Sequence, residues 1–374
     1  MSVLFSFENC SLISHENFIN RIYDGVTSSD SERASYKINP DLFELNVPYR
    51  YKTPDEAQTK KRQRKIINKT NIVVAAEHRE EFELIERLKR NVSNFIAKCH
   101  EQNVLPSFER DEAKTMTNEK LKLFLDQWQS VECLYGDNFK GGNDSKKPVV
   151  VELNGTSHIV PPKCTFSNAN IQNIDRIEPA NGYDLVVMDP PWWNKYVRRS
   201  RKFNSDNSYQ MLSNDHIASI PIEMVTQPNR TLVAIWCTNA PSMIQAVKET
   251  FLSRWNLQLL ATWYWMKITK YGEPICDFDL PLKKQPFERL FIACHKDNTH
   301  DFNIPNERMI FSVPSSIHSH KPPLQDLFIP YFTKSADEVS CLELFARYLL
   351  PNCTSIGLEV LKLQNLQLFH KTNM

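Results

Sequence analysis

The chain has 374 residues, of which 41% are hydrophobic, enough for two domains or for one large domain with a substantial extension. Its net charge of +1 gives no overall attraction to nucleic acid, so any basic binding surface must be local. Nine cysteines without a C-x-x-C pair indicate reduced thiols in the nucleus or cytosol. No apolar run is long enough to span a membrane, and the eight glycines form neither a dinucleotide-binding nor a P-loop pattern.

The first part of the chain, 1–148, is predicted to be mainly helical. A basic run at 60–65 is either a nucleic-acid or nuclear-import patch or a solvated charged turn. Apolar residues recur at helical spacing over 76–100, and a second helix follows Thr117 as its N-cap. The glycine-containing polar segment 136–148 is typical of a linker. We therefore expect a helical N-terminal domain that binds nucleic acid or has an accessory role.

From residue 149 the pattern changes to short β-rich runs that alternate with helical stretches. Strands are predicted at 149–153, 185–188, 231–236, 260–266, 289–294, 308–313, 341–345 and 355–360. Helices are predicted at 214–220 with Ser213 as the N-cap, at 241–254 with Pro241 in the first turn, and at 323–333. This alternation indicates an α/β sandwich with a mostly parallel sheet over 149–374.

The segment YDLVVMDPPW at 183–192 ends a buried strand abruptly. Proline fixes φ and lacks a backbone donor, so Pro190 and Pro191 make a stiff exit whose carbonyls remain acceptors. Ligands of open α/β sheets bind at the carboxyl ends of strands, where Asp189 and Trp192 are expected. Asp189 and the Pro190 carbonyl can each accept one hydrogen of an exocyclic base amine while Trp192 stacks on the base. A target base inside a duplex would have to be flipped out of the helix. The alternative is a rigid turn with a surface tryptophan.

Four separated segments resemble the adenosine N6-methyltransferases whose hallmark is this Asp-Pro-Pro-Trp loop. They are DPPWWNKYVRRS at 189–200, WYWMKIT at 263–269, SVPSSIHSHKPPL at 312–324 and LELFAR at 342–347. The resemblance covers residues 155 to 374 or so, and it implies a Rossmann-like, S-adenosylmethionine-dependent methyltransferase sheet with helices on both faces. It is strongest to the branch associated with adenosine methylation in U2 small nuclear RNA and also with DNA adenine. Residues 149–374 are then the catalytic domain.

The resemblance also implies the residues that hold S-adenosylmethionine. Asn170 and Ile171 stand where the family holds the cofactor's adenine, and the Asn170 amide can both accept and donate there. Asp189 would touch both the methionine amine and the target amine. The other implied cofactor-binding residues are His320, Lys321, Arg347 and Glu359. Glu343 is either a further acid beside the cofactor or a charge at a strand end.

Individual roles follow from the same resemblance. Lys321 would approach the cofactor's carboxylate and the reaction centre, Arg347 would grip the carboxylate or ribose, and Glu359 would accept from the ribose hydroxyls. Without the resemblance, an arginine after a strand is most often a surface ion-pair partner. One position departs from the family, because Gly357-Leu358-Glu359 stands where relatives have Gly-Asn-Glu. Leucine cannot form a hydrogen bond, so one cofactor contact is lost or supplied by another group.

A basic stretch directly follows the Asp-Pro-Pro-Trp loop. We expect Asn194, Lys195, Arg198 and Arg199 to contact the substrate's phosphate backbone while Trp192 contacts the base. A solvated charged loop is the alternative. Together these features predict a methyltransferase that acts on N6 of adenosine. The first candidate substrate is RNA, specifically U2 small nuclear RNA, and the second is DNA.

A catalytically silent RNA-binding subunit is the rival hypothesis. A broken Asp-Pro-Pro-Trp loop would favour it, and here the loop is intact. We expect a protein that is active as a monomer, acts in the nucleus or also in the cytoplasm, and has no membrane partner. No metal is expected, because no cysteine or carboxylate lies at ligand spacing from His318 and His320.

Overall fold

A computed structural model shows how the chain folds. It describes residues 2–27, 33–49, 78–107, 121, 124–125, 128, 135, 139–171, 182–192, 212–281, 283–298 and 302–372. The predicted basic run and the predicted N-cap Thr117 lie outside these residues. Within them, no helix combines the length and the apolar character that a membrane crossing requires.

The strands of the described residues form one sheet of eleven strands and one of five. In chain order they are β1 (Val3–Phe7), β2 (Cys10–Ile13), β3 (Val26–Thr27), β4 (Arg33–Ile38), β5 (Phe139–Asn143), β6 (Val149–Leu153), β7 (Thr156–Val160), β8 (Cys164–Asn168), β9 (Leu185–Met188), β10 (Leu232–Cys237), β11 (Leu257–Lys267), β12 (Phe287–His295), β13 (Met309–Ser312), β14 (Cys341–Leu344), β15 (Cys353–Ile356) and β16 (Phe369–Thr372). The large sheet has the spatial order β1-β2-β13-β11-β12-β10-β9-β14-β15-β8-β5, and the small sheet has the order β16-β4-β3-β6-β7.

Most strands of the large sheet run in one direction. β8, β15, β14, β9 and β10 pair in parallel with their neighbours. β12 runs antiparallel between β10 and β11, and β11, β13 and β2 are again parallel to each other. The carboxyl ends of these parallel strands and the amino end of β12 therefore lie along one edge of the sheet. In open α/β sheets this carboxyl edge is the side that binds ligands.

Helices cover both faces of this sheet. They are α1 (His15–Ile22), α2 (Arg79–Glu101), α3 (Asn214–Ala218), α4 (Pro241–Gln245, continued by the π-helical segment Ala246–Phe251 and by Leu252–Arg254) and α5 (Gln325–Phe328). Short 3-10 turns lie at Pro40–Phe43, Ile222–Met224, Ile329–Tyr331, Lys362–Gln364 and Leu366–Leu368. Phe251 of α4 packs with Val186 of β9 on one face, while Phe18 of α1 and Phe328 of α5 pack with Leu185 on the other. The predicted α/β sheet with helices on both faces is confirmed.

All eight strands predicted beyond residue 149 are present. Continuous apolar runs predict such strands well. β9 and β10, for example, are buried at every position, as expected for parallel strands covered on both faces. The last strand, predicted at 355–360, lies earlier in the chain, since β15 spans Cys353–Ile356. Ser213 caps α3 by accepting from the backbone N–H of His216 at 3.3 Å, as predicted. The helix predicted at 323–333 is shorter and is completed by a 3-10 turn.

The first part of the chain differs from the predicted mainly helical domain. β1 and β2 extend the large sheet through pairing with β13, while β3 and β4 join the small sheet with β6 and β16. These short strands find their partners far along the chain, so their local pattern does not reveal the pairing. α2 is a long amphipathic helix as predicted, and its buried face packs on β11 and β13. The boundary near residue 148 and a nucleic-acid-binding role for the first part remain predictions.

At the opposite, amino edge of the sheet, Asp184 is a buried electrostatic anchor. Its carboxylate accepts from Arg230 Nε and Lys334 Nζ, each at 2.7 Å, and from the backbone N–H and hydroxyl of Ser340. Burial raises the pKa of Asp184, but these donors outweigh it and hold the pKa at about 2.

Asp184→Asn is expected to lower the free energy of unfolding at pH 7 by about 3 kcal/mol, because two cations lose their buried partner. The anchor stabilises the fold above the ordinary aspartate pKa and is lost as pH falls toward 2. Urea denaturation at pH 7 measures the change. Asp337→Asn, at an exposed aspartate, is the control, and equal stability of both variants would contradict the expectation.

Candidate active site

The Asp-Pro-Pro-Trp loop begins where β9 ends, in the middle of the large sheet. β9 lies between β10 and β14, and Met188 pairs with Ile235 on one side and Leu344 on the other. Asp189 follows directly, with 22% of its side chain exposed. The loop therefore stands at the carboxyl edge, where the sequence predicts a ligand.

Four charged side chains form a row beside this loop, which we call the charge row. Lys321 Nζ lies 3.5 Å from Asp189 Oδ1 and also donates to Glu288 Oε2. Lys267 Nζ donates to the other carboxylate oxygen of Glu288. The four residues come from the ends of β9 and β11, the start of β12 and the loop after β13. Their charges alternate in sign, so the row is neutral overall.

Two tryptophan rings support the ammonium groups of the charge row. Lys267 Nζ lies 4.5 Å from the centre of the Trp265 ring, and Lys321 Nζ lies 5.9 Å from the same centre. The Trp236 ring is 5.5 Å from Lys321 and meets the Trp265 ring edge to face at 5.8 Å. Such cation–π contacts are stronger when the cation is partly desolvated, as here. The rings therefore fix where the two lysines can lie.

The pKa values reflect burial and mutual attraction within the charge row. Burial raises the pKa of Asp189, against the pull of Lys321. Burial would also raise the pKa of Glu288, but Lys321 and Lys267 outweigh it and hold that pKa at about 2. Burial opposes the Lys321 ammonium, yet Asp189 and Glu288 raise its pKa above the ordinary value. Glu288 and Lys321 are thus both ionised at neutral pH.

Trp192 is held in place rather than projecting freely. Its indole Nε1–H donates to the carbonyl of Trp236 at 3.1 Å, and its ring stacks on Phe251 with centres 6.0 Å apart and planes 3° from parallel. The backbone N–H of Trp192 donates to the Pro190 carbonyl at 2.7 Å. That carbonyl has a second lone pair and can still accept from a ligand amine. One face of Trp192 is therefore occupied by protein.

Arg347 and Glu359 meet at the carboxyl ends of the neighbouring strands β14 and β15. Arg347 Nε lies 3.4 Å from Glu359 Oε2, and Lys362 Nζ lies 2.5 Å from Glu359 Oε1. The two loops touch at Gly357, where a Cβ atom would come within 2.5 Å of the Ala346 carbonyl oxygen. This close approach requires glycine and sets the spacing of the two charged residues.

The residues at this edge fit S-adenosylmethionine. Glu359 Oε2 is buried and accepts no hydrogen bond within the described residues, so it can accept from a ribose hydroxyl. The Arg347 guanidinium, 20% exposed, can donate to a carboxylate or to ribose. Leu358, the departure from the family pattern, is 45% exposed and supplies no polar contact. These groups and Asp189 belong to three adjacent strands.

The predicted adenine-holding pair and His320 lie in different surroundings. Asn170 is half-buried just past the carboxyl end of β8, whereas Ile171 is buried in the core cluster under the sheet. The His320 imidazole packs 5.5 Å from the His15 ring and 5.4 Å from the Tyr348 ring. His320 therefore supports the loop that carries Lys321 from behind, and its cofactor-binding role stays a prediction.

Glu343 is buried on the face of the sheet that carries Leu185 and Cys341, opposite to the face of Ile171, rather than open to the ligand edge. It is 7% exposed, and its Oε2 atom has no hydrogen-bond partner within the described residues. Burial, and secondarily the Asp189 carboxylate, raise the pKa of Glu343 to about 8. Glu343 is thus neutral near pH 7, and its cofactor-binding role stays a prediction.

Glu343→Gln is expected to remove a pH dependence of stability. The unfolded carboxyl ionises near pH 4.5 while the folded one keeps its proton to about pH 8, so the wild-type fold loses stability as pH rises between these values. Glutamine mimics the neutral acid, and each unit of pKa separation corresponds to about 1.4 kcal/mol. Urea denaturation at pH 5 and pH 8.5 should show a smaller difference for the variant. Parallel curves would contradict the expectation.

The predicted substrate-binding residues Asn194, Lys195, Arg198 and Arg199 lie outside the described residues. Their role stays a prediction. The structure adds Glu288 and Lys267, for which no function was predicted from the sequence. Lys267 belongs to the segment WYWMKIT, but in the sequence it is typical of a charge at a strand end. Glu288 is a single acid in an apolar strand, so neither residue carries a functional signal in the sequence. Only the fold shows that Glu288 binds both Lys321 and Lys267 beside Asp189.

Sequence comparisons relate this chain to a protein family and to several named proteins. The MT-A70 family model matches residues 183–359. A Caenorhabditis elegans protein named DNA N6-methyl methyltransferase is 37% identical over 226 residues, which are 60% of this chain and 59% of the relative. A human protein named N(6)-adenine-specific methyltransferase METTL4 is 38% identical over 240 residues, which are 61% of this chain and 48% of the relative.

A fungal relative is matched over a larger share of its length. A Pyricularia oryzae protein named N6-methyladenosine RNA methyltransferase MTA1 is 30% identical over 269 residues, which are 66% of this chain and 69% of the relative. By contrast, the chain spans about three fifths of the nematode protein and just under half of the human protein.

Proposed function

Because the chain belongs to the MT-A70 family of methyltransferases, we propose that it methylates the N6 amine of adenine in a nucleic acid with S-adenosylmethionine as donor. The family membership confirms the resemblance predicted from the sequence. The observation that carries the proposal is the Asp189 carboxylate at the carboxyl edge, held 3.5 Å from Lys321 beside the Arg347–Glu359 pair.

Asp189 and Pro190 are the proposed acceptors for the target amine. The lone pair of an adenine amine is delocalised into the ring, so the amine is a weak nucleophile. Acceptance of one hydrogen by the Asp189 carboxylate and one by the Pro190 carbonyl favours a tetrahedral nitrogen with a usable lone pair. The carboxylate also compensates the positive charge that the nitrogen gains. The face of Trp192 opposite to Phe251 would stack on the base.

The charge row keeps Asp189 in place without extra net charge. Lys321 draws one carboxylate oxygen toward itself and leaves the other for the amine, while Glu288 prevents Lys321 from neutralising Asp189 completely. Arg347 and Glu359 would hold the donor, with Lys321 near its carboxylate. S-adenosylmethionine, when bound, supplies an electrophilic methyl group. Positioning then accounts for most of the rate, and none of these steps requires a metal.

RNA is the proposed polymer, with U2 small nuclear RNA as the first candidate and the nucleus as the compartment. The fungal relative is named for RNA, which favours this choice, whereas the nematode relative is named for DNA and makes DNA the second candidate. Asn194, Lys195, Arg198 and Arg199 would contact the phosphate backbone of either polymer. We further propose that the chain acts as a monomer.

Methyl transfer from labelled S-adenosylmethionine to matched oligonucleotides tests this function. The panel contains a U2-derived hairpin, unstructured RNA of the same composition and duplex DNA, at one fixed salt concentration. We expect label on N6 of adenine in RNA, and none with Asp189→Ala. Label only in DNA would select the second candidate. Binding of RNA without transfer to any polymer would instead favour a silent RNA-binding subunit.

A further inference from the structure

A buried hydrogen-bond chain, formed by His15, Ser312 and Trp265, connects helix α1 to the charge row. Trp265 Nε1–H donates to Ser312 Oγ at 2.8 Å, and Ser312 Oγ lies 3.0 Å from His15 Nε2. Trp265, Ser312 and His15 are exposed by 3%, 0% and 2%. No water competes for these bonds at such burial, so each fixes the orientation of its partners.

The indole N–H of Trp265 can only donate, so the Ser312 hydroxyl accepts from it. Burial and the neighbouring His320 hold the pKa of His15 well below its usual value, so the imidazole is neutral near pH 7. Ser312 either donates to His15 Nε2 or accepts a second hydrogen bond from it, because a hydroxyl has two acceptor lone pairs. The neutral imidazole forms this bond in either tautomer.

The Trp265 ring links the hydrogen-bond chain to the charge row. Its face carries Lys267 Nζ at 4.5 Å and Lys321 Nζ at 5.9 Å, the two ammonium groups that hold Glu288. A rotation of the indole would displace both ammonium groups together. The plane of Trp265 therefore bears on the geometry of the charge row, and the hydrogen bond from Nε1 restrains that plane together with the packed Trp236 ring.

We propose that His15 and Ser312 are positioning residues for the methyl-transfer site, acting through the orientation of Trp265 on Lys267 and Lys321. This role rests on the proposed function of the charge row. His15 lies at the start of α1, three residues after Leu12, which pairs with Phe311 in the adjacent strand β13. The first part of the chain thus contributes to the site through β2 and α1.

Packing contacts alone would not require a polar side chain at position 15. The imidazole lies 5.6 Å from the Phe43 ring, 6.1 Å from the Trp265 ring and 5.5 Å from the His320 ring, a pocket that phenylalanine could fill. Glutamine, in contrast, can place its amide close to the position of His15 Nε2, where it can either accept from Ser312 or donate to it. His15→Phe and His15→Gln therefore separate filling of the pocket from the hydrogen bond.

The experiment combines steady-state methyl transfer with chemical labelling of Lys321. His15→Phe and Ser312→Ala are expected to lower kcat about tenfold and to leave the KM for RNA within about twofold. Acetic anhydride should modify Lys321 at least about threefold faster in these variants, relative to the exposed Lys146 in the same protein. His15→Gln should resemble the wild type in both measurements.

The outcomes distinguish this inference from the proposed function. A lower unfolding midpoint with unchanged kcat and unchanged labelling of Lys321 would show that His15 only fills space, and would overturn the inference. If wild-type protein transfers no methyl group, the proposed function fails, but the labelling ratio still decides whether the hydrogen-bond chain positions Lys321. Ser312→Ala removes a single oxygen atom, so it remains informative if His15→Phe does not fold.

Discussion

Asp189→Asn is expected to lower kcat for methyl transfer about 10³-fold while the protein remains folded. The amide keeps the size of the side chain but loses the negative charge that compensates the developing charge on the amine. Its Nδ2 group is a donor and would repel an amine hydrogen in one of its two orientations. Because Asp189 also faces Lys321, the loss of its charge leaves that ammonium with Glu288 alone.

Single-turnover transfer with saturating donor and RNA measures the effect of Asp189→Asn on chemistry. Asp337→Asn, at an exposed aspartate on the opposite edge, is the matched control and should retain wild-type rates. Binding of S-adenosylmethionine measured by calorimetry shows whether the variant also loses donor affinity. A rate within about tenfold of the wild type would contradict the role of Asp189 as the acceptor for the amine.

Glu288→Gln is the second substitution with a large expected effect, on both activity and stability. It leaves Lys321 and Lys267 without their shared carboxylate. We expect the free energy of unfolding to fall by about 3 kcal/mol, because removal of one partner of a buried ion pair leaves an uncompensated charge. Lys321 would then shift toward Asp189, neutralise it more completely, and lower kcat about 10²-fold.

The pH dependence of Glu288 has a defined sign. Its pKa is held at about 2, below the ordinary glutamate value of 4.5. The stabilisation is therefore fully present above pH 4.5 and is lost as pH falls toward 2. Denaturation of wild type and Glu288→Gln should accordingly converge at acid pH and differ at pH 7.

Glu307→Gln is the matched control for Glu288→Gln. Glu307 pairs with Arg87 at 2.7 Å, but these side chains are 34% and 44% exposed. Solvent-exposed pairs contribute at most about 1 kcal/mol, so this control should change stability little and activity not at all. Equal losses in the two variants would show that the charge row is no more important than a surface ion pair.

The sequence by itself determined the seven middle strands of the large sheet, β9 to β15, and the position of the Asp-Pro-Pro-Trp loop. β9 and β10 are continuous apolar runs because both of their faces are covered. They can therefore be predicted as strands from their own residues alone. Asp189 and Pro190 follow β9 directly, and the carboxyl edge is a property of any such sheet. The resemblance to the methyltransferase family added Arg347 and Glu359, which the fold brings within 3.4 Å of each other.

The tertiary structure alone decided the partners of these residues. Glu288 and Lys267 meet because β11 and β12 pair in one register, with Trp265 opposite Glu288, and a shift of one residue would turn Glu288 to the other face. His15 reaches Ser312 across nearly three hundred positions of the chain. Strand register and contacts between distant segments arise from packing over the whole fold, and no local spacing encodes them. The sequence therefore located the site, whereas only the fold assembled the groups that surround Asp189.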